Sequence, residues 1–501
     1  MRTRALRRLS MVASLAGALC VGACGDFNVT NPNQPPLNDL LNNPTRTTLA
    51  TAATGLLLGV RFDLISYIWR LGSMGREGIN LSGNNQPDYQ EPYFGPLSGT
   101  GFGAAIWGNL YRAIRSANNY IKAVPGAVQA AGTEKLSDAE VSASLGYGKT
   151  MKALAFLYIV TSHGLLGAPV DVDHPLTDPP APFVTEDSVY GYIIAVLNDA
   201  QNDLAAAGGA AFPFSLPPGF SAFGSPATFL AFNRGLAAKA YVFRATAAGS
   251  TCGATCYNAA LAAITAATAG FGVGDPTQFK TGVYMDYSAG AGDTQNTLSD
   301  GLDQPTYFAL PLLQTLAQQQ SGGAADQRVL DKTTAATSSP PQSVGGIAIT
   351  GTLKFTNYLT AGNSNPAAPI PILRSEELLL LKAEAEIGLG QTAAALADIN
   401  TVRTNAGKLQ ALAPADFATK DQQIAELLYN RKYSLLWEQG AAWVDARRYG
   451  LLSTIPIPPG FSNSTPPNSS FGASNVPAHL LIPDDECRSR GLGSGCSPLG
   501  T

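Results

Sequence analysis

Apolar residues recur three and four positions apart along most of this chain, and apolar and polar residues almost nowhere alternate. Such a pattern buries one face only as an α-helix, because side chains three or four apart share a helix face while strand neighbours point to opposite sides. Ile106, Leu110 and Ile114, then Ala117 and Ile121, draw it on the segment from Ile106 to Val124. The same spacing predicts helices over Lys149 to Thr161, Asp187 to Leu204, Phe229 to Ala247, Tyr257 to Ala269, Arg374 to Leu389, Thr392 to Asn405 and Gln422 to Gln439, each bounded by Gly, Pro or Asx signals. The expected fold class is mainly α. With 45% hydrophobic and 14% charged residues, the chain is too apolar for disorder and must bury a large core. Its 501 residues do not fix a domain count, since a helical repeat array can run long as one unit.

Two stretches resemble one another. Ala238, Ala240 and Tyr241 lead through Ala248-Gly249 to a second run from Tyr257 to Ile264; Ala383 and Ala385 lead through Leu389-Gly390 to Ala393 through Ile399. Each reads as two helices joined at a Gly-bearing turn, with small residues where antiparallel helices approach closely, the logic of tetratricopeptide-like pairs. Gly72 to Gly103 and Phe271 to Asp303 lack periodicity and read as long irregular loops of the kind that carry function.

The N-terminus reads as an export signal. Arg2, Arg4, Arg7 and Arg8 precede an apolar stretch from Leu9 to Leu19, too short for an ordinary membrane span. It ends Val21-Gly22-Ala23-Cys24, similar to a bacterial lipobox in which the cysteine is acylated. The expected division is a signal peptide over 1–23, an acylated Cys24 with a polar Asn/Pro-rich tether over 24–45, and one helical body over 46–501, its halves meeting near 225. Losing four of 32 basic residues against 36 acidic ones leaves the mature chain at −8, with no basic stripe for nucleic acid. Four cysteines remain beyond Cys24. Proximity favours pairing Cys252 with Cys256 and Cys487 with Cys496, although a four-cysteine metal site is the alternative if a distant loop meets the C-terminal tail.

Several segments resemble the SusD/RagB family of outer-membrane nutrient-binding lipoproteins. They are the lipobox and tether; Trp107-Gly108-Asn109-Leu110-Tyr111-Arg112-Ala113-Ile114 with Ala117-Asn118; Lys152 to Phe156 running to Gly167-Ala168-Pro169-Val170; Leu373 to Leu378 with Lys382 to Ala385; and Asn430-Arg431-Lys432-Tyr433 through Glu438 to Gly450. The last is the most specific, an Arg-rich helix, a Glu-Gly turn, an aromatic with Asp, and an Arg-Arg pair before Gly. It departs from the family pattern at Asn430, usually Glu, and at Gln439, an extra residue between Glu438 and Gly440. The resemblance implies tetratricopeptide-like helix pairs with long irregular loops. It also implies a lipid anchor on the outer membrane of a Gram-negative bacterium, facing the cell surface, and a SusC-like TonB-dependent transporter as partner. Members capture glycans, or in some cases peptides, and are not enzymes. No catalytic residue, cofactor or metal is therefore expected. A periplasmic helical-repeat scaffold binding only protein is the alternative from another class.

Sugar capture needs flat aromatic faces beside amide and carboxylate groups on exposed loops. Two loops supply them: Trp69 followed by Asn84, Tyr89, Tyr93 and Phe94, and a second bearing Tyr284, Asp286 and Tyr287. Other patterns point elsewhere. Trp437 and Trp443 lie among Leu435, Leu436 and Val444 and read as core. Ala143 to Thr150 satisfies a relaxed phosphate-loop pattern, but its upstream residues read as helix. Asp171, Asp173, His174 and Asp178 lie in a Pro-rich stretch and read as a solvated acidic loop. Glu438, Asp445, Arg447 and Arg448 could form a catalytic cluster, but the resemblance implies structural charges that pair to hold the C-terminal helices.

Overall fold

The computed structural model describes residues 37–82, 87–175, 177–338, 341–344, 347–456 and 476–500. Cys24 and Asn84 lie outside them, as do the signal and most of the tether. The principal helices are α1 (Arg46–Met74), α2 (Gly108–Ala123), α3 (Asp138–His163), α4 (Glu186–Ala206), α5 (Pro226–Ala245), α6 (Gly253–Phe271), α7 (Gln327–Lys332), α8 (Ser375–Gly388), α9 (Thr392–Asn405), α10 (Lys420–Ser434) and α11 (Ala441–Arg448). The fold is mainly α, as expected.

Helices α1 to α6 pack each against the next, and α8 continues the row by packing on α6, α9 and α10. Their starts are written locally. Ser137 with Glu140, Ser225 with Pro226 at the first helical position, and Thr419 with Gln422 cap α3, α5 and α10 by accepting otherwise orphaned backbone N–H groups. Close approach between neighbours depends on glycine. A Cβ on Gly146 would stand 2.5 Å from Leu204 Cγ, so α3 and α4 meet there as no larger residue allows. This explains the phosphate-loop pattern: Gly146 and Gly148 are helix-packing residues, and Lys149 pairs with Asp199 and Asp203 on α4.

The first pair read from sequence is α5 and α6, with Cys252 bonded to Cys256 at the start of α6. The second is α8 and α9. Cys487 is bonded to Cys496, so the four-cysteine metal alternative does not arise.

α1 is a 29-residue helix that the periodicity did not predict. Its length and hydropathy would suffice to cross a membrane, but Leu49, Leu56, Val60, Leu64 and Ile68 are buried in the core, packed with α2, α3 and α11. The short helix Leu37–Asn42, placed by the sequence in the tether, rests on α2 through buried Leu40. A further correction concerns Gly72 to Gly103, which holds a strand β1 (Gly78–Asn80) and a short helix Pro87–Phe94. The small sheet is antiparallel: β1 pairs with β3 (Tyr307–Ala309), β3 with β5 (Leu353–Phe355), and β5 with β4 (Thr333–Ala335). A separate ladder joins β2 (Gly282–Met285) to β6 (Ile370–Arg374), with Pro371 opposite Tyr284 and Arg374 opposite Gly282.

Candidate functional site

A cleft of about 630 Å³ opens beside the β2–β6 ladder. Strand alternation sets its wall: Val283 and Met285 point into the core while Tyr284 faces outward, half-buried, into the cleft. The other walls come from the turn Pro276–Gln278 with Lys280, from α7, from Thr356 to Tyr358 after β5, from Asn405 to Lys408 at the end of α9, and from Ser434 to Glu438 after α10. Asp275 and Asp326 fix two of these segments by accepting from the N–H groups of Thr277 and Arg328.

Arg374 anchors the charge pattern. Its Nε and Nη2 donate to Glu438 Oε2 at 3.0 and 2.7 Å, and its Nη1 donates to Glu376 Oε2 at 3.0 Å. Lys332 completes the group through Glu438 Oε1 at 2.8 Å. Burial opposes both charges, but Glu438 and Glu376 hold the Arg374 pKa above its ordinary value, and Arg374 and Lys332 hold Glu438 below its own. Arg328 is closed on Asp326. Lys280, Lys408 and Asp331 are left without an ion-pair partner among the described residues, and one oxygen of Glu376 is left without a donor. The two ammonium groups carry no side-chain hydrogen bond among the described residues, Asp331 is exposed and accepts from Gln327, and the Glu376 oxygen is the buried Oε1.

Of the described residues expected to hold ligand, only Tyr284 lines this cleft. Trp69, Tyr89, Tyr93 and Tyr287 are interior residues, which corrects the expectation that they present faces on exposed loops. Trp69 packs edge-on against Phe102 and lies 6.1 Å from the Tyr307 ring, with the Arg70 guanidinium over its ring. Tyr89 and Tyr93 pack with Ile79, Phe308 and Leu310, and Phe94 lies half-buried against them. The Tyr93 hydroxyl donates to Gly78 O at 2.7 Å. Asp286 is half-buried and its carboxylate accepts from Gly219 N at 2.6 Å, tying its loop to the 3₁₀ segment Pro218–Phe223. Tyr287 lies beside Arg61, which pairs with Asp293.

The cleft residues that sequence reasoning passed over are Lys280, Arg328, Lys332 and Lys408. No short motif links them, because they come from separate turns and helix ends; Arg374 and Glu376 lie in the Leu373 to Leu378 segment that carries the resemblance. Among the described residues, no group of three or more His, Cys, Asp or Glu side chains is placed to hold a metal.

The row of helix pairs with its side ladder is a fold shared with solved structures of SusD superfamily proteins. A SusD superfamily protein from Bacteroides vulgatus superposes with a TM-score of 0.65 at 14% identity, covering 90% of this chain and 99% of the other. One from Bacteroides thetaiotaomicron does so at 0.65 and 14%, covering 90% and 100%. Bacteroides fragilis NanU superposes at 0.58 and 16%, covering 93% and 99%. At the level of sequence, residues 284–477 match the model of the SusD family. The SusD/RagB resemblance carried by the motifs is met by that family model over this stretch, and the solved structures share the fold. No curated protein matches the chain by sequence.

Proposed function

We propose that this chain is a non-catalytic, lipid-anchored outer-membrane protein that captures oligosaccharides and passes them to a SusC-like TonB-dependent transporter. The observation that carries this reading is the overlap between the family match and the cleft: residues 284–477 contain Tyr284, α7, β6, the end of α9 and Glu438, which together form most of its lining. A concave site lined by Phe279, Tyr284 and Tyr358 beside several fixed polar groups suits a sugar, whose ring stacks while its hydroxyls seek directional partners. Cys24 would supply the anchor and the N-terminal stretch the tether.

A glycan and peptide array probed with the purified chain tests the capture reading. Binding to oligosaccharides, lost in Tyr284→Ala, supports it. Binding to peptides alone moves the protein to peptide capture, and hydrolysis of any bound oligosaccharide overturns the non-catalytic reading. Copurification of a transporter with the chain from native membranes tests the partner.

A further inference from the structure

The charges that stay unpaired in the cleft point to a narrower ligand class than sugars in general. Arg374, Glu438 and Lys332 satisfy one another, and Arg328 is satisfied by Asp326, so none of these four is free to select a ligand. What remains is two exposed ammonium groups, Lys280 after the turn Pro276–Gln278 and Lys408 after α9, facing the same cavity from different elements. The exposed carboxylate of Asp331 lines the same cavity, while Glu376 Oε1 and Asn357 Oδ1 lie buried in its wall without donors. Tyr284 lines the cavity too, half-buried.

We infer that the cleft takes an acidic oligosaccharide, one whose sugar rings carry carboxylates. Resting on the capture reading above, this names its ligand class. A carboxylate on the ring answers Lys280 and Lys408, and a ring hydroxyl donates to the exposed carboxylate of Asp331. A neutral glycan would leave both ammonium groups unanswered. An acidic peptide would answer them but brings no flat saturated ring for Tyr284. The cationic pair also stands out against the chain as a whole, whose formal charge is −4. Anion selectivity is therefore local to this cleft, and its electrostatic part weakens with salt.

The test compares three probes by calorimetry on the full chain: a hexamer of galacturonic acid, the same hexamer fully methyl-esterified, and hexaglutamate. The ester keeps every ring and most hydroxyls while removing the charge. The expected result is binding of the acid at least about tenfold tighter than the ester, weakening from 50 to 500 mM salt, with no comparable binding of the peptide. Lys280→Ala/Lys408→Ala, at two exposed positions, brings the acid to within about threefold of the ester, the readout being the ratio of the two affinities. Equal affinity for acid and ester, or acid binding that survives the double variant, overturns the inference. Failure of the wild-type chain to bind the acid overturns it too. Neutral glycans bound on the array in either case leave the capture reading standing, whereas preference for hexaglutamate overturns both.

Discussion

Glu77 makes stability depend on pH in a direction opposite to most carboxylates. It follows α1, is fully buried, and accepts from the backbone N–H groups of Trp437 at 2.9 Å and Ala442 at 3.4 Å. It thereby holds the turn between α10 and α11, where Trp437 takes the left-handed φ of 57° that a side chain of its size seldom adopts. Burial pushes the Glu77 pKa up from 4.5 to about 7, against the two backbone hydrogen bonds that favour the charged form. A carboxyl whose folded pKa is raised contributes its stability below its unfolded value and loses it as pH rises through the folded one. Between pH 4.5 and 7 the loss amounts to about 3 kcal/mol at 1.36 kcal/mol per pKa unit. With an unfolding entropy of about 2.1 cal/mol/K per residue, a body of roughly 460 residues converts that into a melting shift of about 3 °C. The assay is differential scanning calorimetry from pH 4 to 8 on wild type and Glu77→Gln, which keeps the side-chain shape but cannot ionise. The melting temperature of wild type should fall by about 3 °C relative to the variant across that range. Taking the difference cancels other titrating groups, including His163, whose pKa burial drives down to about 3 and which therefore destabilises the fold as pH drops from 6.5. Parallel curves for the two proteins would refute the reasoning.

The remaining predictions concern packing and pairing. Asp445→Asn withdraws the charge that buried Arg431 and Arg448 share, at 2.6 and 2.9 Å, and should cost about 3–5 kcal/mol in a denaturant titration. Gly146→Ala forces a methyl toward Leu204 and Ala200 O and should cost about 1–3 kcal/mol, lowering the melting temperature while leaving helical circular dichroism at 25 °C unchanged. Replacing Cys487 and Cys496 by serine opens a loop with a sequence separation of 9 and should lower stability by about 2–3 kcal/mol, measured against wild type without reductant.

What sequence could show depended on whether the cause was local. The helix over Thr392 to Asn405 is legible to the residue because its apolar stripe lies within it and Gly390 stands just before it. α3 begins at Asp138, in the stretch upstream of the phosphate-loop pattern that reads as helix, and the capping box of Ser137 with Glu140 marks its start. α10 ends at Ser434, short of the predicted Gln439, because Glu77, 360 residues away in sequence, captures the Trp437 N–H and turns the chain. α1 escaped notice for a different reason: core contacts on several sides leave no single apolar stripe to detect. Among site residues, Tyr284 was legible as an aromatic beyond the needs of helix packing. Trp69, Tyr89, Tyr93 and Tyr287 looked the same in sequence, and only the tertiary course of the chain separates a ring in the core from one at a cleft.

The C-terminal signature shows why its charges resisted a single reading. Arg431, Asp445, Arg448 and Glu384 form one buried group that joins α8, α10 and α11, and there the pairing is structural. Glu438, from the same signature, turns the other way and joins Arg374 and Lys332 in the cleft wall. The two departures from the family pattern lie on this boundary. Asn430 accepts from Arg328 at 2.9 Å and donates to Glu426 at 2.9 Å, so a neutral amide bridges a cation and an anion. Gln439 accepts from Lys239 at 3.1 Å and donates to Pro371 O and Ile372 O, pinning β6, and with it Arg374, to the turn. The extra residue thus adds a tie between the helix joint and the cleft wall. Removing it with Gln439→Ala should loosen the Arg374 wall before it loosens the joint, and hydrogen exchange should rise in β6 and β2 ahead of α11. Equal or earlier exchange in α11 would show that the turn and the joint open as one unit.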